Sequence, residues 1–232
     1  MNIKLPKSQS GGMPWVILVV VAFVVILIAI TATVVIQSDS VAEPELSPED
    51  ARAAALLSVH APTSGDADAP VHIVEFLDPA CETCALFFPV VKTWQKEVPG
   101  KIRLSVRHVA FHNGSEYAVQ VLEASREQGK YWQTLETLLA TQSQWTQNHT
   151  VLPEQIRPAL ADVNLDWTVL EDDMDNFDIK TRMQQDQQDA VTLRVSATPQ
   201  YFVNGRELYN FGYDNLAALV RDELEAAMRR DE

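Results

Sequence analysis

The chain has 232 residues, with 18 Lys+Arg against 32 Asp+Glu, a formal charge of −14 and only two cysteines. An acidic balance of this size repels phosphates, which argues against electrostatic nucleic-acid binding. Two cysteines are too few for a disulfide-stapled miniprotein or for a zinc site built from four thiolates.

In chain order the first feature is a charge-free run, MPWVILVVVAFVVILIAITATVVI, from Met13 to Ile36. At 1.5 Å per residue it is long enough to span a hydrocarbon core of ~30 Å, and it is predicted as a single transmembrane helix over residues 13–36. Lys4 and Lys7 precede it and every acid follows it. By the positive-inside rule, residues 1–12 then face the cytoplasm and the remainder lies outside the inner (cytoplasmic) membrane. The alternative is a cleaved signal peptide with Ser40-Val41-Ala42 as its small-residue site, although the run exceeds the ~7–15 residues of a usual signal core. Either reading exports the domain to a compartment where disulfides form.

Residues 37–61 read as a polar linker and one short helix, with Ser47 as N-cap, Pro48 in the first turn and Glu49 and Asp50 at its positive end. The turn-rich PTSGDADAP stretch leads into Val71–Leu77. Both faces of that segment, Val71, Ile73, Glu75 and Leu77 on one and His72, Val74 and Phe76 on the other, are largely apolar. This predicts a buried central strand carrying one anomalous carboxylate, Glu75. A buried carboxyl has a raised pKa and suits a proton acceptor.

Cys81-Glu82-Thr83-Cys84 opens a helix with Phe87, Phe88, Val91 and Trp94 at a 3.6-residue period, in which Pro89 should introduce a kink. Lys101–Val109 alternates as a second strand, with Arg103, Ser105 and Arg107 on its polar side. Residues 112–190 are patterned as helices only, including 153–161, 167–174 and 177–194, so they read as an inserted helical subdomain. Trp132, Trp145 and Trp167 are assigned to its core, and the acidic excess to a solvated surface. Strand pattern returns at Gln200–Val203, followed by the Asn204-Gly205 hairpin signal and Arg206–Leu208. Asp214 is placed as cap of a final helix striped by Leu216, Leu219, Val220, Leu224, Ala227 and Met228. The order is that of an α/β layer architecture, with residues 62–111 and 191–232 forming one domain around the insertion.

Two thiols three residues apart at a helix start can close a disulfide with little backbone motion. The first sits where free N–H groups and the helix dipole stabilise a thiolate. Cys81 is therefore the nucleophile and Cys84 the resolving thiol. Half of a zinc site or an inert structural disulfide are the alternatives. Zinc needs two more ligands, and His108 and His112, four apart on a strand running into a loop, do not converge as they would on a helix. Between the cysteines, Glu82 brings a negative charge where a cation would help, and Thr83 offers one neutral hydrogen bond. A thiolate pKa of roughly 5.5–7.5 and a potential of roughly −160 to −250 mV are expected.

Taken with Gly65-Asp66 and Ala69-Pro70-Val71 before the first strand, Glu75-Phe76 inside it and Ala197-Thr198-Pro199 before the hairpin, the CETC motif resembles the DsbA family of thiol–disulfide oxidoreductases over about residues 62–230. That resemblance implies a thioredoxin-like fold with an inserted all-helical subdomain. It implies active cysteines at Cys81 and Cys84, a cis-proline at Pro199, the buried acid at Glu75 and the helix-kinking proline at Pro89. The Thr198 backbone would then flank the cysteine pair and offer β-type hydrogen bonds to an extended client. Glu82-Thr83 departs from the Pro-His of the strong oxidase DsbA. The implied activity is disulfide exchange with cysteines of exported proteins, with a membrane redox partner recycling the pair. No metal and no organic cofactor are expected, because the electrons reside in the two sulfurs. The alternatives are a reductase dedicated to one client, such as apocytochrome c or a metallochaperone, and a non-enzymatic metal-binding module using Cys81, Cys84 and a histidine.

Overall fold

The computed structural model describes Trp15, residues 19–27 and residues 46–230. Residues 19–27 are helical, whereas segment 1–12, most of the expected membrane span 13–36 and linker residues 37–45 lie outside the described residues. Among the described residues no helix is long and apolar enough to cross a membrane. The chain divides into two units, Met1–Glu45 and Leu46–Glu232, and the second carries the five-stranded sheet.

Helix α1 (Pro48–Leu56) starts as its sequence requires, with Ser47 Oγ accepting from the Asp50 N–H and Pro48 at the first helical position. Strands β1 (Thr63–Ser64), β2 (Val71–Leu77), β3 (Ile102–His108), β6 (Gln200–Val203) and β7 (Arg206–Glu207) form one sheet in the order β1-β3-β2-β6-β7. The central β2 runs parallel to β3, with Val71 opposite Ile102, and antiparallel to β6, with Ile73 opposite Val203. Its apolar faces are covered on both sides, and Val71, Ile73, Phe76 and Leu77 have no exposed surface. Helix α2 (Glu82–Glu97) continues through Pro89 and buries Cys84, Phe88 and Val91. The final helix, labelled α9 (Tyr213–Arg230), buries Leu216, Val220 and Ala227, while Met228 at the end of the expected stripe is exposed. It begins one residue before Asp214, so that carboxylate lies in the first turn instead of at the cap.

The segment between β3 and β6 holds α3 (Ser115–Glu127), α4 (Tyr131–Ala140), α5 (Gln142–Trp145), α6 (Pro153–Ala159), α7 (Trp167–Met174) and α8 (Phe177–Thr192). It is not purely helical as expected. Strands β4 (Thr146–Gln147) and β5 (Thr150–Val151) form a small antiparallel ladder, turned by Asn148 and His149 at positive φ. Two central residues in the left-handed region suit the twist of a tight hairpin, but strands of two residues leave no periodicity to read. The short β1, inside the stretch read as turns, escaped for the same reason. Gly65 follows it at φ +93°, where a Cβ would approach the Ile102 carbonyl oxygen to 2.4 Å. Trp145 is fully buried and donates its indole N–H to the Leu138 carbonyl, in keeping with a core role.

The acidic excess is only partly a solvated surface. Arg107 on β3 is fully buried, and its Nε donates to Asp186 (2.6 Å), its Nη2 to Asp189 and its Nη1 to the Ala55 carbonyl (2.7 Å). Asp186 also accepts from the His108 backbone N–H and pairs with His60. The polar stripe of α8 is thus its packing face toward β3 and α1. A buried guanidinium requires carboxylates around it, so charge complementarity acts beside the burial of Ile179 and Ala190 in docking this helix.

Candidate functional site

After β2, Asp78-Pro79-Ala80 turns the chain into α2. Asp78 is fully buried, and its Oδ1 accepts from the Ala80 N–H while Oδ2 accepts from the Phe111 and His112 N–H groups and the Ser115 hydroxyl. One carboxylate therefore ties the turn before Cys81 to the loop after β3. Cys81 is the N-cap of α2, with extended backbone (φ −82°, ψ 117°) and no side-chain capping bond. Cys81 lies at the open helix end and is 5 % exposed as a residue, while Cys84 one turn later has no exposed surface.

The two thiols are driven apart electrostatically. The Cys81 pKa falls to about 6, first because the Cys84 thiol hydrogen-bonds to its sulfur. The Thr198 side chain and the backbone N–H groups of Cys84 and Thr83 add to this, together outweighing burial. Thr83 contributes a neutral hydrogen bond through its main-chain N–H. Burial holds the Cys84 thiol well above the ordinary thiol range, reinforced by its bond to Cys81 and by the charges of Cys81 and Glu75.

The Thr198–Pro199 peptide is cis, with Pro199 buried at the entry to β6. The Thr198 carbonyl oxygen lies 3.2 Å from Cys81 Sγ and accepts from its S–H. That bond exists only in the thiol form. Ionisation releases the carbonyl, and the sulfur is then left to its donors.

Glu75 sits in the middle of β2, opposite Tyr201 in the β2–β6 register, and is fully buried. Its Oε1 accepts from the Tyr201 hydroxyl at 2.9 Å and its Oε2 has no hydrogen-bond partner. Burial raises its pKa to about 8, although the bond from Tyr201 pulls the other way. Tyr201 is the site residue that sequence reading missed, because its role depends on strand register and not on a motif.

Glu82 points outward, and its carboxylate lies 3.1 Å from His149 Nδ1 at the tip of the β4–β5 turn. His149 stacks on His112, with ring centroids 5.9 Å apart, and His112 Nδ1 lies 2.8 Å from Asp78 Oδ2. One ligand atom from each of Glu82, His112 and His149 lies within 4.8 Å of the other two. Among the described residues this is the one group of His, Cys, Asp and Glu side chains spaced to hold a metal ion. Neither cysteine belongs to it, so among the described residues it is not the alternative module of Cys81, Cys84 and a histidine. His149 is 67 residues from Glu82, with no local signal linking them.

The family model described as Thioredoxin matches residues 58–222. The Na(+)/H(+) antiporter NhaA of Herminiimonas arsenicoxydans is 30% identical over 165 residues, covering 71% of this chain and 25% of the antiporter. The chain thus spans about a quarter of the length of that relative. Disulfide bond formation protein D of Bacillus subtilis is 27% identical over 175 residues, covering 71% of this chain and 77% of that protein. The crystal structure of oxidised BdbD from Bacillus subtilis superposes with a TM-score of 0.62 at 26% identity, over 71% of this chain and 93% of that one.

Proposed function

The chain belongs to the thioredoxin family, among its DsbA-like members, and from that membership we propose that it is a thiol–disulfide oxidoreductase working through Cys81 and Cys84. The observation that carries this reading is the inequality of the two thiols on one helical turn. Cys81 is ionised near neutral pH and Cys84 is buried and protonated.

When the pair is a disulfide, a client thiolate attacks Cys81 and Cys84 leaves, taking up a proton. A second client thiol then attacks the client sulfur of the mixed disulfide and expels Cys81, a good leaving group because its pKa is low. In the opposite sense the Cys81 thiolate attacks a client disulfide. Cys84 then resolves the mixed disulfide by attacking Cys81, its proton passes to Glu75, and the client leaves as a thiolate. The Thr198 carbonyl, freed when Cys81 ionises, is available to an extended client backbone. A membrane redox partner returns the pair to its working state.

We place the domain outside the cytoplasm, tethered by residues 13–36, on the support of a charge-free run with lysine on one side and acids on the other. A reporter fused after Asp50 should then be active only outside the cytoplasm, and the protein should stay in the membrane through a salt wash. Release as a shortened soluble chain would instead indicate a signal peptide.

The chemistry is tested by trapping. Cys84→Ala should accumulate mixed disulfides with exported proteins, and Cys81→Ala should form none. Equal trapping by both variants, or by neither, would remove the assigned roles. Thiol alkylation in cells reads the direction of flow, because a mostly oxidised pair marks an oxidase and a mostly reduced pair a reductase or isomerase.

A further inference from the structure

In the exchange steps Glu82, His112 and His149 carry neither electrons nor a proton. An exposed pair such as Glu82 and His149, with side chains 55% and 69% accessible, contributes little to stability. His112 is held differently. Its Nδ1 faces Asp78, a carboxylate with no exposed surface that already accepts two backbone N–H groups on the same oxygen. Such a carboxylate fixes Nδ1 as the protonated nitrogen and leaves the Nε2 lone pair free, the arrangement that presents histidine to a metal ion.

We propose that Glu82, His112 and His149 form a binding site for one divalent transition-metal ion of the zinc class, with Asp78 as the buried carboxylate that orients His112. Two imidazole nitrogens and one carboxylate oxygen suit zinc and its neighbours, whereas calcium and magnesium require shells of oxygen. Three protein ligands leave the fourth tetrahedral position to water. Donors around tetrahedral zinc lie about 3.3 Å apart. The ligand atoms here lie within 4.8 Å of one another, and the two exposed side chains, Glu82 and His149, would turn toward the ion to reach that spacing. The ion would sit beside Cys81, because Glu82 is the next residue.

The test uses the detergent-solubilised full chain with Cys81 and Cys84 closed as a disulfide, so that neither thiol can ligate. Zinc chloride alone is titrated calorimetrically, then again in excess calcium. The expected result is one zinc per chain in the low micromolar range or tighter, insensitive to calcium. His149→Ala, a change at an exposed turn, should weaken binding at least tenfold, and Glu82→Gln should also weaken it. Cobalt(II) in place of zinc should give intense tetrahedral visible bands that His149→Ala abolishes. Zinc binding weaker than about 100 µM in the wild type, or equal binding in wild type and both variants, would overturn the site. Disulfide exchange enters none of these readouts, so their failure is separable from failure of the oxidoreductase reading.

Discussion

Replacing Glu75 with Gln keeps the shape of the side chain and the oxygen that faces Tyr201, and removes the ionisable proton. In the folded chain that proton is held to a pKa of about 8, against 4.5 for an unperturbed carboxyl. Because the folded value is raised, Glu75 contributes most to stability below pH 4.5, and the contribution is lost as pH rises through 8. At about 1.4 kcal/mol per pH unit, that span sets an upper bound of roughly 5 kcal/mol. The Gln amide, buried with one of its groups unpaired, adds an offset that does not vary with pH. The informative quantity is therefore the slope. Urea unfolding of the oxidised proteins, in which neither thiol titrates, should show wild type losing stability relative to Glu75→Gln between pH 5 and 8, with no further change above about pH 9. Parallel profiles, agreeing within about 0.5 kcal/mol after the constant offset, would refute the assignment of Glu75 as a buried neutral acid.

The same variant tests the proton transfer. In wild type, resolution of a mixed disulfide by Cys84 should accelerate with pH and level off above about 8, as Glu75 becomes ionised. In Glu75→Gln it should be slower near neutrality and keep rising about tenfold per pH unit, and identical profiles in rapid-quench experiments would exclude Glu75 as the acceptor. Glu82→Gln should lower the Cys81 pKa below about 6, seen in thiolate ultraviolet absorbance, and make the pair more oxidising by glutathione equilibration. The wild-type potential should fall roughly between −160 and −250 mV, and a value above about −130 mV would contradict the effect assigned to Glu82. Arg107→Met should leave the buried Asp186 and Asp189 without their shared guanidinium and cost about 3–5 kcal/mol in denaturant unfolding. A loss under about 1 kcal/mol would show that the network does not hold α8 to the sheet.

The spacing of the two cysteines was legible because a helix converts sequence spacing directly into distance. Cysteines at 81 and 84 lie one turn apart whatever surrounds them, and the first falls at the open end where N–H groups converge. The centrality of β2 was legible as well, since a strand with two apolar faces has to be covered on both. Glu75 was conspicuous as the one carboxylate in that run. Pro199 was identified only through resemblance to a family, because a Thr-Pro dipeptide by itself leaves the isomer open.

Contacts between distant segments carried no such signal. Tyr201 faces Glu75 through the β2–β6 register, and Arg107 meets Asp186 and Asp189 through the docking of α8 on β3. Read along the chain, those aspartates are a polar stripe that suits water equally well. His149 reaches Glu82 by way of two strands of two residues each, too short to announce themselves. Sequence alone determined what helix and strand periods impose locally: the cysteine pair, the buried strand and the acid within it. The tertiary structure decided which partner each charged group meets, because burial and charge pairing depend on how whole elements stack, and residues far apart in the chain share no period that could reveal it.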